Sequence, residues 1–160
     1  MSYSLIVIDM QEYFEAACDT ETQRACKKAI RKAMKDNATI LLVEYRGCGR
    51  TAATLAGLVD GYKNAHVVKK SDDNGGYEVV RKLRKKRLPR STLRICGVNT
   101  DACVEATVYG IKKNMKNRLP EIQVLADACN SCENHRRGLR SLKEMGAKII
   151  VPKNRNKHAS

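Results

Sequence analysis

Six short apolar runs, separated by stretches of helical period, constrain the fold of this chain more than any other feature. They are Ser4–Asp9, Thr39–Tyr45, His66–Lys69, Thr92–Cys96, Glu121–Leu125 and Lys148–Val151. A nearly continuous apolar run such as SLIVID suits a strand covered on both faces, the situation in a parallel sheet. Parallel neighbours need a crossover, usually a helix, and the intervening segments supply them. The first helix starts at Asp19 or Thr20, with Gln23 placed to complete a capping box from Thr20. Its apolar stripe is Ala25, Cys26, Ala29, Ile30, Ala33 and Met34. Tyr77–Leu88 turns Val79, Val80, Leu83 and Leu88 inward before Pro89 breaks it, and Cys132–Met145 runs from a Ser131 cap to Gly146. The pattern predicts an α/β fold: a three-layer α/β/α sandwich around a doubly wound parallel sheet of about six strands. At 160 residues the chain suits one domain, 1–160, with a real core.

The fourth run continues into Gly97-Val98-Asn99-Thr100-Asp101 and then a helix that carries Cys103 near its first turn. Thr100 or Asp101 is placed to cap that helix, and Val104, Val108, Ile111 and Met115 follow at helical spacing. At a strand-to-helix turn, backbone N–H groups converge and the helix dipole favours an anion. A thiolate is stabilised there, and so is the oxyanion formed when it attacks a carbonyl. A cysteine taken at random is more often a core residue; the turn on both sides of Cys103 favours a low-pKa nucleophile, labelled by iodoacetamide ahead of the other six cysteines. Asp9 ends the first run, at the carboxyl end of a strand, where open α/β sheets place ligands. Taken alone it could equally be a loop-capping Asp.

Two motifs carry a resemblance. G-V-x-T-D-x-C-V-E-A-T, from Gly97 to Thr107, and D-M-Q-E-Y-F, from Asp9 to Phe14, resemble the isochorismatase-like cysteine hydrolases, the superfamily that includes the nicotinamidases. The resemblance spans Asp9 to about Val151 and implies the strand order 3-2-1-4-5-6. It implies Asp9 as catalytic base, Cys103 as nucleophile and a lysine at the end of the third strand. Lys70 leads into the loop Ser71–Gly76 and takes that place; Lys69 is the off-by-one alternative, which strand alternation points to the other face. Tyr77, seven residues beyond Lys70, fits the tyrosine spacing of nicotinamidases. Gln11 and Phe14 are implied as supporting and lining the substrate site, and the backbone N–H groups of Asn99 and Cys103 as an oxyanion hole, with a cis peptide bond between Val98 and Asn99. The expected reaction is cleavage of an amide-type C–N bond of a small molecule through a thioester.

Nicotinamidases carry an Asp and His metal cluster after the second strand. This chain has no histidine before His66, so no metal and no other cofactor is expected, and nicotinamide itself is a disfavoured substrate. Arg46–Ala52 fits G-x-G-x-x-A but follows the wrong strand for a dinucleotide fingerprint, and reads as a loop over the site. Ala126–Ser131 reads as a loop with Asp127 structural, and Cys129-x-x-Cys132 followed by His135, lacking a second pair, is not a zinc site.

The net charge is +14, which raises the prior for an acidic partner. The most basic segment, Lys82–Arg90, has few aromatics near it, so a solvated helix face is preferred to a nucleic-acid site. A non-catalytic basic binding module on the same fold is the rival from another class; a nicotinamidase proper is the other alternative. Seven scattered cysteines without a signal peptide point to a reduced, cytoplasmic location, and no apolar run reaches membrane-spanning length. Assembly into a homo-oligomer is left open.

Overall fold

The computed structural model describes residues 2–153; the rest of the predicted polar tail, from residue 154, lies outside the described residues. Six strands form one parallel sheet: β1 Ser4–Ile8, β2 Thr39–Tyr45, β3 Ala65–Lys70, β4 Thr92–Val98, β5 Glu121–Asn130 and β6 Lys148–Ile150. Their order is β3-β2-β1-β4-β5-β6, as expected. The helices are α1 Thr20–Lys35, the short α2 Ala53–Ala56, α3 Gly76–Lys85, α4 Glu105–Asn114 and α5 His135–Glu144.

Alternation along the strands divides the core into two layers. Leu5 and Val7 of β1 face Cys26, Ile30 and Ala33 of α1 and Leu55 of α2. Ile6 and Ile8 face the opposite layer, built from Val79, Val80 and Leu83 of α3, Val108 and Ile111 of α4 and Leu142 of α5. Each fully buried aliphatic side chain contributes roughly 1.5–3 kcal/mol, so the central strands, apolar on both faces, hold the three layers together.

Several local expectations are corrected. Asp19 is the α1 cap, accepting from the N–H of Thr22 at 2.9 Å, and Gln23 donates to the Ala17 carbonyl instead of closing a box with Thr20. Asn134, not Ser131, caps α5 by accepting from Arg137 N–H at 2.9 Å. The segment read as a loop after Leu125 continues β5 to Asn130, because a register shift between Ile95 and Gly97 lets Gly97 pair with Cys129 and Val98 with Asn130. Neither Thr100 nor Asp101 caps the helix that carries Cys103. Thr100–Val104 form a π turn running into α4, with Val104 and Ala102 N–H both donating to Asn99 O at 3.1 Å. The peptide bond between Val98 and Asn99 is cis.

Candidate active site

Asp9, Lys70 and Cys103 come from the ends of β1, β3 and β4, the carboxyl edge of the sheet. Asp9 follows β1 directly, its N–H donating to Val43 O at 3.0 Å, and its φ of 53° lies in the left-handed region that Asp tolerates better than most residues. The carboxylate is fully buried, and Oδ2 lies 2.9 Å from Lys70 Nζ, whose side chain is equally buried. The other two ammonium protons have acceptors in the backbone carbonyls of Asp72 at 3.0 Å and Asp73 at 3.2 Å. Lys69, one residue earlier, has its side chain 47% exposed and meets Glu44 at 3.5 Å on the far side of the sheet. Pleating therefore separates the two lysines as strand geometry requires.

Cys103 projects from the π turn into the same knot, buried to 6% exposure. Its Sγ lies 3.7 Å from Oδ1 of Asp73, so a second carboxylate stands by the thiol. Neither buried Asp9 oxygen has a well-directed hydrogen bond in the protein: Oδ2 is held by the charge of Lys70, and Oδ1 is left as a free acceptor inside the site. Burial raises the Asp9 pKa, and Lys70 partly offsets it. For Cys103, burial and then the Asp9 charge push the thiol up to about 12, against a smaller opposing effect of Lys70. This reverses the expectation of a low-pKa thiol: one ammonium faces two carboxylates, and desolvation outweighs the turn.

A supporting shell fixes these groups. Gln11, fully buried, donates to the carbonyls of Tyr45 (3.0 Å) and Gly49 (2.7 Å) and accepts from Tyr45 N–H at 2.8 Å. Its donors are spent on the last residue of β2 and on the loop that follows, so that loop is tethered to the end of β1. Glu44, unremarked in the sequence, anchors the same loop by accepting from Thr51 N–H at 2.6 Å and Thr51 Oγ1 at 2.8 Å. Lys70 Nζ lies 4.2 Å from the centre of the Tyr45 ring, a cation–π contact that sequence spacing gave no means of finding. Phe14 stacks edge-on with exposed Tyr13, centroids 5.3 Å apart, and tilts toward Tyr45 at 6.2 Å. Tyr77 is not in this group. It is 58% exposed and lies beside Val80, Arg81 and Arg84 on the outer face of α3. Asn99 holds its neighbours through Oδ1, which accepts from Cys132 N–H at 3.0 Å.

The loop after β2 offers Arg46, Cys48 and Arg50 where a metal-binding version needs carboxylates and imidazoles. Two cations and a single thiol do not fit a divalent ion. Cys129 is buried and Cys132 exposed.

A parallel α/β/α sandwich thus brings a carboxylate, an ammonium and a thiol together at the carboxyl edge of its sheet. The model of the isochorismatase domain matches residues 3–151, and the chain belongs to that family of hydrolases. No curated protein matches the sequence. Among solved structures, the chain is similar to nicotinamidase PncA from Bacillus subtilis: 17% identity, TM-score 0.76, covering 95% of this chain and 100% of that one. N-carbamoylsarcosine amidase from Thermoplasma acidophilum is similar at 17% identity and TM-score 0.72, covering 94% and 96%. MAR1 ribonuclease from Caenorhabditis elegans is similar at 20% identity and TM-score 0.77, covering 94% and 77%. At these identities the likeness is one of fold.

Proposed function

We propose that the chain, read as one domain over residues 1–160, is a cysteine hydrolase that cleaves an amide-type C–N bond of a small molecule through a thioester. The observation that carries this reading is the buried contact between Lys70 and Asp9 with the Cys103 thiol in the same knot. The thiol stays protonated at neutral pH, so its proton leaves as the sulfur attacks. Asp9 is the base, and its unpartnered oxygen is the free acceptor for that proton. Lys70 holds the carboxylate in place while negative charge develops on sulfur and then on the carbonyl oxygen. The oxyanion is received by the N–H groups of Asn99 and Cys103, each worth ~3 kcal/mol of barrier. Collapse of the tetrahedral intermediate breaks the C–N bond, and Asp9 returns the proton to the leaving nitrogen. Water then attacks the thioester, with Asp9 again taking a proton, and releases the acid and the thiol. Phe14 and the aromatic pair around it wall the substrate site; Gln11 supports it from behind. All seven cysteines are free, which supports a reduced, cytoplasmic setting; no helix among the described residues is long and apolar enough to cross a membrane.

Mass spectrometry tests the thiol's role. Iodoacetamide at neutral pH is expected to label the exposed Cys18 and Cys132 first and Cys103 slowly. Acid quenching during turnover of an amide panel is expected to trap the acyl group on Cys103 alone. Steady amide hydrolysis with no adduct at Cys103, or unchanged turnover by Cys103→Ala, defeats the proposal.

The donor set of the loop after β2 leads to a second expectation. Hydrolysis should survive prolonged chelation with no more than a twofold change. Loss on chelation and recovery with zinc or manganese would show that a metal site forms despite these residues.

A further inference from the structure

The +14 charge is not explained by the candidate active site, where one lysine meets two carboxylates. Much of it collects elsewhere. The connections from α3 to β4 and from α4 to β5 meet at the amino edge of the sheet and enclose a cleft of about 660 Å³. Arg84, Arg87, Arg90 and Arg118 line it, and no Asp, Glu or His does. None of the four is in an ion pair among the described residues. Arg84 is held by a 3.0 Å bond from its guanidinium to Asn114 O, tying α3 to the end of α4. Leu88 and buried Met115 give the cleft an apolar component.

Arg84 of α3, Arg87 and Arg90 of the first connection and Arg118 of the second present exposed guanidinium groups to one cleft that no carboxylate lines. Their forks match phosphate oxygens in pairs. The volume lies within the range of small-molecule sites. No aromatic ring lines the cleft, so it lacks the stacking platforms by which single-stranded nucleic acid is held. We propose that this cleft binds a small oligophosphate-bearing ligand, either a bare oligophosphate or the polyphosphate of a nucleotide. The site is separate from the hydrolase centre, with the length of the strands, roughly 20 Å, between the two edges.

Isothermal titration calorimetry with inorganic tripolyphosphate at physiological salt tests it on the intact chain. One-to-one binding is expected, weakened at least ~10-fold in Arg87→Gln/Arg118→Gln. It should be within twofold of the parent in Arg31→Gln/Lys35→Gln, which removes the same charge from exposed positions on α1. Equal weakening in both double variants, or no saturable binding, overturns the site. Titration with ATP separates the two sources: tighter binding than tripolyphosphate assigns a nucleotide, equal or weaker binding a bare oligophosphate. A single-stranded RNA oligomer that binds while tripolyphosphate does not would overturn the small-ligand assignment in favour of a polymer.

Discussion

Lys70→Met is expected to lower amide hydrolysis by roughly 10²–10³-fold, the size of effect seen when one preorganised electrostatic group is removed from a reacting centre. Methionine keeps the length and apolar stem but removes the charge that lies 2.9 Å from Asp9. The pH profile should move as well. Asp9 is already raised by burial, and Lys70 is what opposes that rise. Without the ammonium the Asp9 pKa climbs further, so the carboxylate form needed as base is populated only at higher pH. The acid-side limb of the residual activity, where the rate rises as Asp9 ionises, should therefore shift to more alkaline pH. The Cys103 thiol, which Lys70 also lowers, should become still harder to ionise. Lys69→Met is the matched control: it loses a half-exposed contact at 3.5 Å with Glu44, worth at most ~1 kcal/mol, and should change activity less than twofold. Rates on the amide panel across pH decide the matter. A silent Lys70→Met with a crippled Lys69→Met would assign the lysine to the other face of β3.

What was legible in the sequence is what local chemistry specifies. The apolar runs gave all six strands, and the motifs around Asp9 and Cys103 identified two of the three groups that meet at the sheet edge. Lys70 could be preferred over Lys69 because strand pleating has a period of two, and the burial of β3 follows that alternation from Val67 to Lys70. The rest depends on long-range placement. Tyr45 lies 25 residues before Lys70, and only the β2–β3 register sets them side by side. Glu44 reads as a polar interruption in an apolar strand until Thr51 is seen folded back onto it. Tyr77 had the right spacing, but α3 begins at Gly76 and turns that ring outward. The state of the Cys103 thiol departs from the sequence expectation for an electrostatic reason. A turn and a dipole can be read from sequence; the burial and the two carboxylates around the sulfur cannot. Ser131 was a reasonable cap by type, but its hydroxyl is engaged by the Asp101 carboxylate at 2.5 Å, leaving Asn134 to start α5.

Gly97→Ala is expected to cost the fold about 3–5 kcal/mol. Gly97 sits in β4 beside Ile8 of β1, with φ at 122°, a region an L side chain rarely adopts. A Cβ built there lies 2.0 Å from the Ile8 carbonyl oxygen and 2.7 Å from the Ile8 backbone N and C. All three contacts are main chain, so no side chain can rotate away; β1 and β4, the two central strands, must move apart. Overpacking of a tight core typically costs ~1–3 kcal/mol, and a strained backbone conformation adds ~1–3 kcal/mol. Set against a usual total stability of roughly 5–15 kcal/mol, that loss should lower the melting temperature by about 10 °C or more. The same displacement reaches the site, because Asp9 follows Ile8 and the turn carrying Cys103 follows Gly97. Gly57→Ala supplies the comparison. Gly57 has helical φ, −61°, and open space where a Cβ would stand, so the change should be neutral or stabilise by up to ~1 kcal/mol. Thermal unfolding of the two variants beside the parent gives the answer. A Gly97→Ala protein melting within about 2 °C of the parent, the shift expected for roughly 0.5–1 kcal/mol at this chain length, would mean that β1 and β4 do not approach as closely as their contact implies.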